Sequence, residues 1–257
     1  MTELILRFRI VVSFLLLLAV WQLVASLGLV PEKYLPGVPA IAAGFWTMLM
    51  SGELLTGDAL TLSRAILGVA AASVLGIALA VLSDFFPPFR KAFRPIAALI
   101  QPIPPAALVP MAVFALGLGP KLYAFIIILV TVWPPYLNGI AALSSVSDVQ
   151  IRTGQMLGLS RWQILTQIKL PAAMPEIFAC IRYAATIALI AVVVAEMLAG
   201  RDGLGFMLIR KAFAMRIPEV YALMFVCALN GVVMNAIVNA LRWRTTGWQL
   251  RMTGRLA

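Results

Sequence analysis

The chain has 257 residues, 63% of them apolar and 12% charged, with a mean hydropathy of +1.01. A soluble domain carries about 25% charged residues, so a water-facing globule is excluded and lipid is the solvent that suits this composition. Lys and Arg number 20 against 10 Asp and Glu, and His is absent, which removes His-based metal sites, triads and proton shuttles.

The basic residues fall between apolar runs, not on one stripe with interleaved aromatics, so membrane topology accounts for the charge better than nucleic acid does. A span needs about 20 mostly apolar residues. Six runs qualify, at about 8–30, 60–83, 94–117, 121–143, 177–199 and 219–241. The first follows a short basic start that resembles a signal peptide. It is long enough to span and no small-residue cleavage site follows it, so a retained first helix is expected. Pro31, Pro36 and Pro39 open the next segment, and its amphipathic piece from Ile41 to Leu55 is expected to lie at the interface. In the second run Gly68, Ala72, Gly76 and Ala80 recur every four residues, a smooth seam for close helix packing.

The third run contains Gln101, Pro102, Pro104, Pro105 and Pro110. Each proline removes a backbone donor and clashes with the preceding turn. A broken helix at membrane depth persists where it is packed in protein or lines a wet cavity, so these residues fit either a pathway lining or a plain structural kink.

The segment 144–176 is too polar to span. Ser147 to Gln150 has capping-box spacing, Gly158 suits the residue after a helix end, and Ser160 to Gln163 repeats the box before Pro171 stops the second helix. Arg161 and Trp162 then sit near the apex of a tight turn, suited to a groove on a partner or to lipid headgroups.

In the fifth run Glu196 is the only acidic residue predicted inside a span. An intramembrane carboxylate is a functional-site candidate, here for the pathway or its gate, with a structural hydrogen bond or a pair with Arg201 as the alternative. Arg182, near the inner end, is expected to snorkel. The loop at 200–218 carries Arg201, Arg210, Lys211 and Arg216 among Phe206, Met207, Leu208, Ile209 and Phe213. It reads as a short amphipathic or re-entrant helix whose basic face either recruits an anionic solute or the acidic rim of a binding protein, or simply faces solvent. Asn230, Asn235 and Asn239 mark the sixth run for interhelical hydrogen bonds or solute contact. Cys180 and Cys227 lie in apolar segments without CxxC spacing, so neither a disulfide framework nor a zinc site is suggested. With the N-terminus inside, 13 Lys and Arg fall on the inner side and 7 on the outer side, which favours both termini inside.

Gly158, nine residues, Ile168, one residue and Leu170-Pro171 match the tail of the "EAA" loop of binding-protein-dependent ABC importer permeases. The flanks Leu157 to Gln163 and Leu170 to Pro175 resemble that family's "LGASRWQ" and "LPAALP". Arg152, Thr153 and Gly154 stand where the EAA itself would be. Further along, Leu35 to Pro39, Pro102 to Pro110, Gly117 to Gly119, Val194 to Met197 and Gly203 to Met207 resemble the "LPSP", "RPIPPLAWLP", "FGLG", "VAAEL" and "GLGFM" segments of the nitrate/sulfonate/taurine/bicarbonate branch. Gln101 stands where many members carry Arg; if that Arg helps hold an anion, a different or less acidic solute is expected here.

The resemblance implies an all-α membrane protein, a single domain over 1–257 with six transmembrane helices in the type I ABC importer permease (MetI-like) fold. It further implies a homodimer in a bacterial inner membrane, two cytoplasmic ATPase subunits that hold ATP and Mg, and an extracytoplasmic solute-binding protein. In this reading Gly158, Leu159, Ser160, Arg161, Trp162, Gln163, Ile168, Leu170 and Pro171 form the ATPase-coupling turn, and the solute is a small anion of the sulfonate, taurine or nitrate kind. No cofactor is expected in the chain itself, which has no G-x4-G-K-[ST] motif. The alternative is a stand-alone secondary transporter or channel, a class that usually shows an internal repeat; none is visible. An intramembrane enzyme has little support, because Glu196 lacks an evident catalytic partner.

Overall fold

The computed structural model describes residues 2–252, and the side chains of 8, 9 and 12–245. Arg7, Arg251 and Arg255, counted above on the inner side, lie outside the described side chains. Every regular element among the described residues is a helix. The order is α1 (Thr2–Ser26), α2 (Val38–Met50), α3 (Glu53–Phe85), α4 (Pro87–Ile100), α5 (Pro105–Leu116), α6 (Pro120–Thr131), α7 (Trp133–Ser144), α8 (Asp148–Met156), α9 (Arg161–Ile164), α10 (Leu170–Ala199), α11 (Leu204–Phe213) and α12 (Ile217–Met252).

Four helical segments are long and apolar enough to cross a membrane: Glu53–Phe85, Pro120–Ser144, Arg161–Ala199 and Ile217–Thr245. The bent pair α4–α5 makes a fifth, and α1 contributes the apolar stretch Val12–Ser26. These six units fall on the six apolar runs, but several boundaries move. The interfacial piece expected over 41–55 ends at Met50, where Gly52 takes a left-handed φ of 74° and starts a new helix. Helix α3 therefore begins at Glu53, seven residues before the second run, and includes Asp58.

The third run is two helices whose axes differ by 101° across Gln101–Pro104. Three prolines at 102, 104 and 105 withhold the donors that would carry one helix into the next. The fourth run also breaks, at Val132, because Pro134 and Pro135 cannot donate to the carbonyls of Val130 and Thr131. The ladder resumes with the Tyr136 amide on the Val132 carbonyl at 3.1 Å.

Pro171 does not stop the second loop helix. Residues Leu165–Lys169 form a π-turn and the chain runs on into α10. The wider turn makes room for a ring that would strike the preceding carbonyl in a regular α-ladder.

The seam of α3 faces α6 and α7. A Cβ on Gly76 would lie 2.6 Å from the Val132 carbonyl oxygen and 3.0 Å from the Tyr136 nitrogen, and Gly139 faces Ala80 in the same way. These backbones touch where larger residues would force them apart. Below the seam an aromatic cluster binds α4 to α7: Phe89 stacks on Phe93 at 5.1 Å, and Phe93 meets Tyr136 edge-on at 5.3 Å. The segment between α1 and α2 is tied down by Trp21, whose indole donates to the Pro36 carbonyl at 3.0 Å, and by Gln22, which accepts from the Val38 amide at 2.8 Å.

Candidate functional site

The loop between α7 and α10 is a rigid turn. Ser147 starts α8 with a one-sided cap, its hydroxyl accepting from the Val149 amide; the Gln150 half of the expected box does not form. Helix α8 closes with two backbone bonds, Leu159 N–H to the Gly154 carbonyl and Gly158 N–H to the Gln155 carbonyl, both 3.0 Å. That pairing is a Schellman closure around Gly158, whose φ is 74°. Two residues on, the second box forms in full. The Ser160 hydroxyl accepts from the Gln163 amide, and the Gln163 side-chain oxygen accepts from the Ser160 amide at 2.8 Å.

The turn is locked to the helix ends beneath it. Lys169 Nζ reaches both oxygens of Asp84, at the end of α3, at 2.8 Å. Trp162 lies against Phe85 with ring centroids 6.0 Å apart. The Ile168 side chain closes over Gly154, where a Cβ would sit 2.6 Å from Ile168 Cδ1. This explains why Gly154 suits the third EAA position here. The contact is with the free end of a side chain, and Ala is the better helix former by about 1 kcal/mol. We expect Gly154→Ala to leave the apparent unfolding temperature within about 2 °C of wild type, measured on the purified chain, and Gly154→Leu to lower it clearly.

Side chains left uncovered at the apex are Met156 at 87% exposure, Leu157 at 75% and Trp162 at 62%, with Arg161 beside them. A pocket of about 220 Å³ lies between this turn and α3, lined by residues that include Asp84, Phe85, Arg161 and Lys169. An exposed aromatic and a guanidinium on a pre-formed turn are the features of an interface hot spot.

Glu196 is a different kind of site. It is fully buried, and its partner is Arg64 on α3, not Arg201. Arg64 Nη1 donates to Oε1 at 2.7 Å, while Oε2 accepts from the Thr61 hydroxyl at 2.8 Å and from the Gly205 amide at 3.0 Å. Arg64 also bonds Asp202 at 2.6 Å and lies 4.0 Å over the ring of Tyr123. The Leu204 amide donates to the Thr61 hydroxyl at 2.8 Å. One carboxylate thus ties α3, α10 and the start of α11. It also accounts for the glycines of the "GLG" run: a side chain at Gly203 would strike the carboxylate, and one at Gly205 would strike the Val193 carbonyl.

The basic loop is paired as well. Arg210 and Lys211 both meet Glu53, Lys211 also reaches Glu219 at 2.9 Å, and Arg216 meets Glu219. Lys211 is buried. The basic face expected over 200–218 is therefore largely neutralised, and among the described residues only Arg201 of the four stands exposed outside these ion pairs. The pairing acids Glu53 and Glu219 lie just outside the loop in sequence, so a count of the loop alone misses them. Asn230 donates to Asp58 at 2.6 Å, an interhelical bond between α12 and α3. At the α4–α5 break Gln101, Pro102 and Pro104 lie exposed, and Pro105 is half-buried.

Residues 72–242 match the family described as binding-protein-dependent transport system inner membrane component. The chain belongs to this family. The match takes in the Gly158–Pro171 turn and Glu196 itself, while its partners Thr61 and Arg64 precede the matched residues. Among similar proteins, the taurine transport system permease protein of Escherichia coli (strain K12) is 32% identical over 90% of this chain and 86% of its own. The nitrate import permease protein of Leptolyngbya laminosa is 25% identical over 91% and 85%. Two solved structures share the fold. The MetNI methionine ABC transporter in an inward facing conformation aligns with a TM-score of 0.61 at 18% identity, over 74% of this chain and 97% of the other. A bacterial alginate ABC transporter in complex with alginate pentasaccharide-bound periplasmic protein aligns at 0.67 and 19%, over 95% and 97%. The protein is a multi-pass inner-membrane permease subunit of the nitrate/sulfonate/taurine branch, with the type I importer fold.

Proposed function

We propose that this permease works as a homodimer that imports a small sulfonate-like anion, taurine foremost. An extracytoplasmic binding protein delivers the solute at the pole of α11, and two ATPase subunits carrying ATP and Mg dock on the Gly158–Pro171 turn. That turn and both termini then face the cytoplasm. The solute class is carried by one observation, the 32% identity to a taurine permease over most of both chains. The docking role draws support from the exposed Arg161–Trp162 apex, held by a full capping box and the Lys169–Asp84 pair.

Gln101, Pro102, Pro104, Pro105, Glu196 and Asn230 divide into two groups. The exposed α4–α5 break is the candidate pathway surface, which a second copy would enclose. Glu196 and Asn230 act on the pathway by fixing the helices around it, and Arg201 is the basic side chain left to meet an anion or a binding protein. A reconstituted set of permease, ATPase and binding protein tests the reading. ATP hydrolysis should rise with taurine-loaded binding protein and fall to the unstimulated rate when this chain is left out; stimulation that survives its omission would overturn the proposal.

A further inference from the structure

Helix α4 carries three different arcs. Phe89, Phe93 and Ala97 turn inward to α7. Ile96 and Leu99 form an exposed apolar arc. Between them Arg90, Lys91 and Arg94 line an open groove of about 600 Å³ with Pro87, Pro95 and Ala98. Positions 87, 91, 94 and 98 share one face at helical spacing. Among the described residues none of these three cations makes an ion pair. At the opposite pole Arg64, Arg210, Lys211 and Arg216 are all matched by acids. Four cations at the α11 pole thus have acids beside them, whereas among the described residues this triad at the other end has none.

The geometry points to an anionic phospholipid, its phosphate in the Arg90–Lys91–Arg94 groove and its acyl chain along Ile96 and Leu99. A basic arc attracts any anion, but the exposed apolar arc beside it matches the second half of a lipid and has no counterpart in a free anion or in an acidic protein surface. Lys91 and Arg94 are exposed and Arg90 half-buried, so the long side chains can rest their stems on the helix and present their charges to a headgroup. The inference depends on neither the solute nor the orientation proposed above, because the lipid is read on the permease alone.

The test is native mass spectrometry of the full chain in detergent with equal phosphatidylglycerol and phosphatidylcholine. Wild type should retain phosphatidylglycerol over phosphatidylcholine by about tenfold, and Arg90→Gln/Lys91→Gln/Arg94→Gln should bring the ratio to parity. Arg90→Lys/Arg94→Lys keeps the charge and should keep the preference. Ile96→Ser/Leu99→Ser should lower retention of both lipids. If the triple variant does not fold, Lys91→Gln and Arg94→Gln carry the test singly, each lowering the preference by about threefold. Undiminished preference in these variants would overturn the site. Displacement of the lipid by excess inorganic phosphate or methanesulfonate would reassign the groove to a soluble anion. Loss of a co-purifying ATPase subunit with the lipid preference intact would reassign it to a protein partner; either result overturns the lipid assignment.

Discussion

Arg64→Ala should lower the apparent unfolding temperature of the purified permease by roughly 10 °C, the scale expected when a buried ion pair loses one member at about 3–5 kcal/mol. The reason is the environment of Glu196. Its side chain has no exposure, and among the described residues Arg64 is its only cationic partner, at 2.7 Å. With Arg64 gone the Thr61 hydroxyl and the Gly205 amide still hold Oε2, but an uncompensated charge is left in a dry interior. The double variant Arg64→Ala/Glu196→Gln should recover part of the loss, since it removes the charge while an amide oxygen still accepts from Gly205 N–H. Asp202 is half exposed and should matter less, because exposed pairs contribute about 1 kcal/mol or below. If Arg64→Ala and the double variant unfold together at the wild-type temperature, the clamp does not hold these helices together.

Removing both apex side chains, Arg161→Ala/Trp162→Ala, should weaken binding of the ATPase subunit by about a hundredfold or more, since truncated hot-spot residues typically cost about 2 kcal/mol or above. The turn itself should survive. Gly158 keeps its left-handed conformation, and the Ser160–Gln163 box uses neither Arg161 nor Trp162 side chains. Binding can therefore fall far more than stability, since the fold loses only the contact of a largely exposed Trp162 with Phe85. Gln163→Ala separates shape from contact: it removes one half of the box, a loss of about 1 kcal/mol to the local helix, and should weaken binding less than the apex pair. Equal pull-down of the ATPase by wild type and the apex double variant would exclude docking through Arg161 and Trp162.

Much of the architecture is legible in the sequence because its signals are local. The capping box at Ser160 and the left-handed Gly158 are fixed by residues within five positions of each other, and both form. The four-residue seam on α3 reads directly from periodicity, and Gly76 meets the α7 backbone there. Hydropathy places the four spanning segments, the bent α4–α5 pair and the shorter apolar stretch of α1. What escapes is non-local. Glu196 finds Arg64 across 132 positions, and Lys211 finds Glu53 across 158; nothing in the spacing singles out those partners over the nearer Arg201. Proline is ambiguous for a related reason. At 102, 104 and 105 it breaks the helix, yet at Pro171 a π-turn absorbs it, and only the packing around the residue decides between the two. Asp58 escapes because charged residues pull a hydropathy boundary inward, whereas the helix itself begins at Glu53.

As proposed above, this chain forms a pathway driven by a separate ATPase. The decisive measurement is uptake of labelled taurine into proteoliposomes holding the permease, the ATPase and the binding protein. Accumulation should require hydrolysable ATP on the side of the Gly158–Pro171 turn and should be lost with Arg161→Ala/Trp162→Ala. Accumulation by the permease alone, driven by an ion gradient without ATP, would contradict it.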